Sequence, residues 1–110
     1  MDFNEYQDLA QRTEAGLPYS PRSAVAVLGL CGESGEVAEL FKKHIGHGHE
    51  LDLEHVKKEL GDVLWYIAEL ASALGFSLEE VAVANIEKLA KRYPEGFSSE
   101  RSKHRAKGDV

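Results

Sequence analysis

Two acidic steps are the residues of this chain best suited to chemistry. Glu33 and Glu36 form the first step, and Glu59 and Asp62 form the second. Within each step the two carboxylates are three residues apart, so they share one face of a helix. Four converging carboxylates would repel one another and raise each other's pKa. A divalent cation removes that conflict, and ligation by oxygen alone favours Mg²⁺ over zinc or copper.

Glycines surround both acidic steps and lie inside the helices predicted there. They are Gly29, Gly32, Gly35 and Gly61. Each costs a helix roughly 1 kcal/mol relative to alanine, so they need a reason such as close helix approach or room for a ligand. For Gly29 the two reasons are equally well supported. A single Glu-x-x-Glu is usually solvated, but two acidic steps beside apolar stripes favour a metal site.

Hydrophobic periodicity predicts an all-α fold without a sheet. The predicted helices cover residues 2–15, 21–45, about 52–74 and 77–93. Asp52 is the expected N-cap of the third helix, and Gly46 and Gly75 are expected to end the second and third. Because the second and third helices are joined by a short turn, they should pack antiparallel. Counting from that turn places Glu36 level with Asp62.

Length and charge restrict the function classes. The chain has 110 residues and a net charge of -6, with 9 basic and 17 acidic residues in 1–97 and 4 basic and 2 acidic residues in 98–110. This length predicts one domain with a limited core, for which self-association is a reasonable expectation. The acidic body argues against nucleic-acid binding. With one cysteine, no signal peptide and no membrane-spanning stretch, we expect a soluble cytoplasmic protein.

Three segments carry a resemblance to a known family. They are Gly32–Leu40, Lys58–Leu64 and Lys88–Pro94, and together they resemble the MazG-like nucleoside triphosphate pyrophosphohydrolases of the all-α NTP pyrophosphatase superfamily. The resemblance spans about residues 3–97. It implies a four-helix bundle completed by homodimerisation, with some relatives forming tetramers. Residues 98–110 are then expected to be a basic, mobile tail outside a MazG-like domain at 1–97.

The resemblance also implies an activity and its residues. The expected reaction is Mg²⁺-dependent hydrolysis of a (deoxy)nucleoside triphosphate to the monophosphate and pyrophosphate, as in nucleotide-pool house-cleaning, with Mn²⁺ as an alternative ion. Glu33, Glu36, Glu59 and Asp62 are the implied catalytic metal ligands. Many relatives have a glutamate where this chain has Gly32. Glu39 or one of the ligand carboxylates would then have to activate the attacking water.

Four further residues are candidates for substrate binding. Lys88 and Arg92, four residues apart on the fourth helix, could contact phosphate, and Asn85 on the same face could bind sugar or phosphate. Their alternative is a solvated polar face. Tyr66 could stack on a base or ribose, or it could be a core residue. Trp65 could line a base pocket or a subunit interface.

Two other functions stay open at this point. One is a non-catalytic helical module that binds a partner and whose carboxylates hold a structural cation. The other is phosphoribosyl-ATP hydrolysis within the same superfamily. The sequence does not indicate which base or sugar a nucleotide substrate would carry.

Overall fold

The computed structural model describes residues 1–110, and its regular structure is entirely helical. The helices are α1 (Phe3–Gln11), α2 (Tyr19–His47), α3 (Leu53–Leu74), α4 (Leu78–Arg92) and α5 (Ser99–Lys103). An isolated bridge between Pro94 and Gly96 is the one β-type pairing. The prediction of an all-α fold with four main helices is confirmed. The short α5, in the segment expected to be a tail, was not predicted.

The chain divides into two compact units, Met1–Leu78 and Glu79–Val110. In the first unit α2 packs along α3, and α1 packs against α3. The two long helices run antiparallel, because Arg22 near the start of α2 contacts Glu69 near the end of α3. This confirms the predicted helical hairpin. The second unit contains most of α4 together with α5.

Local signals define both ends of α3 as predicted. The Asp52 side chain accepts hydrogen bonds from the backbone N–H groups of Glu54 and His55, which caps the first turn. Gly75 ends the helix with φ +84°, a left-handed conformation that glycine adopts without a steric penalty. The acidic step on α3 therefore lies on a helix whose ends are both set by the local sequence.

The ends of α1 and α2 differ from the predictions. α2 begins at Tyr19, two residues before Pro21, because proline is tolerated in a first turn whose N–H groups have no helical partner. It ends at Gly48 rather than Gly46, because Gly48 takes the left-handed conformation (φ 73°) and its N–H bonds to Lys43 O. α1 ends at Gln11 instead of residue 15, before a turn in which the Glu14 carboxylate accepts from two backbone N–H groups.

The apolar core is small and made mainly of alanines. Its buried members are Ala26, Ala68, Ala71, Ala73 and Leu78, and no large side chain is fully buried. Several large apolar side chains are exposed instead, among them Leu28 (71%) and Ile45 (80%). Exposed apolar surface on this scale is typical of an interaction surface. No helix has the length and apolar character needed to cross a membrane.

Polar contacts secure the hairpin at the end distant from its turn. Arg22 Nη2 donates to Glu69 Oε1 at 2.7 Å, and Arg22 Nε donates to Glu69 Oε2 at 3.1 Å. Glu69 is 8% exposed. This two-point contact joins α2 to α3 and fixes their relative orientation.

Gln7 ties α1 to the segment that follows α3. Its side-chain N–H groups donate to Ser72 Oγ and Phe76 O, both at 2.9 Å, and its carbonyl oxygen accepts from Leu78 N at 2.7 Å. Both the nitrogen and the oxygen of the buried Gln7 amide therefore have hydrogen-bond partners. Loss of these contacts would leave backbone groups of the α3–α4 connection unpaired.

We predict that Glu69→Gln lowers the free energy of unfolding by about 2 kcal/mol, because a partly buried guanidinium loses its charged acceptor. Chemical denaturation at fixed protein concentration measures the change. Lys42→Gln is the control, since Lys42 pairs with Glu39 on the surface, and such pairs contribute about 0.5 kcal/mol. Equal losses in the two variants would contradict the role assigned to the Arg22–Glu69 pair.

Candidate metal centre

The packing of α2 on α3 brings three of the four predicted metal ligands together. Glu33, Glu59 and Asp62 each offer a carboxylate oxygen, and these oxygens lie within 4.8 Å of one another. Glu33 and Glu59 are half-buried and Asp62 is exposed. Glu36 is exposed and stands outside this set of three. Glu33, not Glu36, converges with Asp62, about one turn from the register that loop symmetry predicted.

Electrostatic repulsion in the cluster acts mainly on Glu33. Partial burial raises the pKa of its carboxyl group, and the charges of Asp62 and Glu59 raise it further, with smaller contributions from a hydrogen bond with Glu59 and from the charge of Glu36. The fold thus holds Glu33 where its charged form is disfavoured. A cation placed among these oxygens would reverse that preference.

The dimensions and the donor atoms of the cluster fit a small hard cation. Opposite oxygens around Mg²⁺ are about 4.2 Å apart, twice the ~2.1 Å bond length. The observed spread of up to 4.8 Å needs only small side-chain movements to reach that value. All three donors are carboxylate oxygens, a ligand type that suits both Mg²⁺ and Mn²⁺.

Two residues near the cluster were missed by the sequence analysis. His55 Nε2 lies 3.1 Å from Glu59 Oε1, so an Nε2–H donates to that carboxylate. Its position four residues before Glu59 is the signal that could have identified it. Tyr6 of α1 is near enough to Asp62 for that charge, after the larger effect of burial, to raise the pKa of its phenol. No sequence pattern predicted that Tyr6 would lie near Asp62.

Tyr66 has an evident packing role. Its ring atoms occupy the space into which a β-carbon at Gly29 would project, so the absence of a side chain at Gly29 lets the ring lie against the α2 backbone. This observation supports close helix approach as the reason for that glycine. Trp65 lies edge-on to Tyr66, with ring centroids 4.9 Å apart, and its indole N–H donates to Thr13 Oγ1.

The other three helical glycines are in open surroundings. A β-carbon at Gly32, Gly35 or Gly61 would meet no atom within 4 Å. Packing within the chain therefore does not require glycine at these positions. They leave free space immediately beside both acidic steps, as the ligand interpretation requires.

The remaining predicted residues lie outside the carboxylate cluster. Asn85 is exposed on α4, and Lys88 and Arg92 are half-buried on the same helix. Arg92 Nε donates to Asp109 Oδ2 at 2.7 Å, a contact that the sequence did not indicate. Glu39 pairs with Lys42 at 2.9 Å, and this bond lowers the pKa of the Glu39 carboxyl.

Gly29→Ala should lower the free energy of unfolding by about 1–2 kcal/mol, because overpacking against the Tyr66 ring outweighs the gain in helix propensity. Gly32→Ala is the matched control on the same helix. With no neighbour to meet, it should be stabilising by up to about 1 kcal/mol. Thermal and chemical unfolding measure both, and stabilisation by both substitutions would contradict close packing at Gly29.

Glu33→Gln should raise the melting temperature of the metal-free protein at pH 7 by a few degrees. The raised pKa of Glu33 means that the native state binds its proton more tightly than the unfolded state, whose ordinary value is 4.5. The carboxylate therefore costs stability at high pH, and the cost disappears as pH falls below that value. The gap between variant and wild type should close toward pH 4.

Addition of Mg²⁺ should reverse this order at pH 7, stabilising the wild type more than Glu33→Gln. Thermal scans in EDTA and in Mg²⁺ measure both effects. An identical response of the two proteins to Mg²⁺ would contradict a metal centre at this cluster.

Comparison with known proteins gives one family. A sequence model of the MazG nucleotide pyrophosphohydrolase domain matches residues 22–97, which include all eight residues predicted to bind metal or substrate. The Gene 37 protein of Mycobacterium phage L5 is 38% identical over 73 residues, which are 63% of this chain and 64% of that protein. The match thus spans slightly less than two thirds of that relative's length. No solved structure matches.

Proposed function

Because this chain belongs to the MazG nucleotide pyrophosphohydrolase family, we propose that it hydrolyses (deoxy)nucleoside triphosphates to monophosphate and pyrophosphate. Nucleotide-pool house-cleaning in the cytoplasm is the role we propose for this reaction. The observation that carries the proposal is the convergence of Glu33, Glu59 and Asp62 within 4.8 Å. Carboxylates this close together repel one another and destabilise the fold, so the binding of a cation is the simplest reason for their convergence.

The proposed cofactor is Mg²⁺, which Mn²⁺ could replace. Glu33, Glu59 and Asp62 would hold it, and Glu36, one turn along α2 from Glu33, would supply a further carboxylate. When bound, such an ion neutralises phosphate charge and lowers the pKa of a coordinated water. His55 orients Glu59 by its hydrogen bond, in the manner of the outer groups that support metal ligands.

The attacking water also needs a proton acceptor. Glu39, one candidate, is held by Lys42 and has a lowered pKa, which makes it the weaker base. The raised pKa of Glu33 belongs to the metal-free cluster, and a bound cation would lower it, so it does not single out Glu33. We therefore assign proton acceptance to one of the ligand carboxylates rather than to Glu39.

The proposed substrate contacts come from α4 and α3. Lys88 and Arg92 would bind phosphate oxygens, and Asn85 would bind phosphate or sugar. Tyr66 would stack on the base or ribose, in addition to its role in the α2–α3 packing. Triphosphate binding by lysine and arginine needs no base recognition, so these residues leave the base preference undefined.

Self-association is part of the proposal. The small alanine core and the exposed apolar side chains support a homodimer, or a tetramer built from two dimers, in which these faces are covered. Sedimentation or light scattering would test this, and a monomer at micromolar concentration would contradict it.

Release of pyrophosphate from a panel of dNTPs in Mg²⁺ tests the activity. Glu59→Gln and Asp62→Asn should lower kcat/KM by about 100-fold or more, because the bound ion contributes several kcal/mol to catalysis. Glu54→Gln is the matched control, since Glu54 is also on α3 but pairs with Lys57 at the surface. It should stay within about twofold of wild type.

The same assay separates the rival functions. Wild-type protein that is folded, binds Mg²⁺ and hydrolyses no dNTP would contradict the proposal and favour a binding module with a structural cation. Hydrolysis of phosphoribosyl-ATP in the absence of dNTP hydrolysis would favour the second enzyme activity. Equal losses in Glu54→Gln and Glu59→Gln would contradict the assigned site.

A further inference from the structure

Three histidines lie close together at the turn that joins α2 to α3, outside the carboxylate cluster. His44 and His47 belong to the last turn of α2, and His49 follows the glycine that ends the helix. All three are exposed. Residues three apart on a helix share one face, so His44 and His47 lie on the same side of α2. Histidine is the most common metal ligand in proteins, which makes this group a candidate for a second kind of metal site.

The backbone folds His49 back onto the last turn of α2. Gly48 takes the left-handed conformation with φ 73°, which ends the helix and turns the chain, and His49 N donates to Lys43 O at 3.1 Å. The ring centroids of His47 and His49 are 6.4 Å apart. Two imidazoles on one tetrahedral Zn²⁺ ion have centroids about 5 Å apart, so a movement of about 1 Å in these exposed rings would bring both to a shared ion.

A hydrogen bond prepares His44 for metal ligation. Its Nδ1 lies 2.7 Å from the backbone oxygen of His49. Because a carbonyl oxygen only accepts, the proton of the neutral ring is on Nδ1, and the lone pair is on Nε2. A bond from Nδ1–H to a backbone carbonyl commonly fixes the tautomer and the ring orientation of metal-ligating histidines. The same bond links the first histidine of the group to the third without any metal.

We propose that His44, His47 and His49 bind a first-row transition metal ion such as Zn²⁺, with water completing the coordination. Imidazole nitrogen suits these ions, whereas the carboxylate cluster on the same hairpin suits a harder ion. The C-terminus of a helix carries a negative partial charge, so the end of α2 favours a bound cation. The ion would join the last turn of α2 to the connection that follows it and thereby stabilise the turn of the hairpin.

The two metal sites differ in how far they are formed before an ion binds. The carboxylate oxygens already lie within 4.8 Å of one another, and the three histidines do not form such a set. Binding of Zn²⁺ therefore requires the rings to rotate and lose rotamer freedom, which costs free energy. We expect an affinity in the micromolar range for this reason.

Calorimetric titration of the full-length protein with Zn²⁺, slightly above neutral pH and in excess Mg²⁺, tests the site. The Mg²⁺ competes with Zn²⁺ for carboxylate oxygens and not for imidazole nitrogens. Wild type should bind one Zn²⁺ ion per chain. His44→Gln, His47→Gln and His49→Gln should each weaken binding by about tenfold or more, because even groups that only support a metal ligand contribute at least that factor.

His104→Gln is the matched control, because it removes an exposed imidazole that pairs with Glu100 on α5. It should change the Zn²⁺ affinity by less than about twofold, since such surface pairs contribute little. Circular dichroism in EDTA verifies that each variant is folded. Equal losses in His47→Gln and His104→Gln would overturn the assigned ligands.

Thermal unfolding gives a second measurement. Zn²⁺ should raise the melting temperature of the wild type, because it binds the folded chain, and it should not raise that of the variant in which all three histidines are glutamine. Failure of wild type to bind Zn²⁺ at millimolar concentration would overturn the site and leave a solvated polar turn.

A third variant separates this site from the carboxylate cluster. Zn²⁺ binding that is lost in Glu59→Gln but retained in the triple histidine variant would assign the ion to the carboxylates and overturn the proposal. None of these measurements requires a nucleotide or its hydrolysis. Failure of the histidine site is therefore distinguishable from failure of the proposed function.

Discussion

The close approach of α2 and α3 at Gly29 is the contact on which the candidate metal centre depends. The Tyr66 ring occupies the space of the missing side chain, which fixes how far along α2 the third helix lies. One turn further on, the same register sets Glu33 beside Glu59 and Asp62. The free energy of helix packing thus maintains a group of like charges that would otherwise separate. Strain of this kind is typical of functional sites, where a ligand relieves it.

A second set of contacts makes this register specific. Most of the buried core residues are alanines, which pack closely. Their side chains are too small to prevent one helix from sliding along the other. The paired hydrogen bonds of Arg22 with Glu69 are directional and involve a buried carboxylate, so a shift of one turn would leave the Glu69 carboxylate without these bonds. Polar contacts of this type contribute to specificity as well as stability. The Arg22–Glu69 pair, at the end of the hairpin distant from its turn, therefore helps to position the carboxylate cluster.

Charge is divided between the two units in a way that suits chemistry on phosphates. Met1–Leu78 contains the carboxylate cluster, and Glu79–Val110 contains a pocket lined by six lysines and arginines. Phosphate esters can be bound directly by cationic side chains or through a metal ion held by carboxylates. The net charge of -6 conceals this division, because the basic residues cluster within a predominantly acidic protein. Within the basic part, Arg92 pairs with the carboxylate of Asp109.

Features that depend on neighbouring residues could be predicted from the sequence. Helical periodicity predicted the all-α class, Asp52 and Gly75 set the ends of α3, and the segments Gly32–Leu40, Lys58–Leu64 and Lys88–Pro94 carried the resemblance to the family. The choice between Gly46 and Gly48 as the end of α2 already required more, because either glycine could adopt the left-handed conformation. Three contacts could be established only from the packed helices: Glu33 rather than Glu36 lies beside Asp62, Gly29 accommodates Tyr66, and Asp109 reaches Arg92. These contacts join residues distant in sequence, and they follow from the relative placement of helices, which local propensity does not encode.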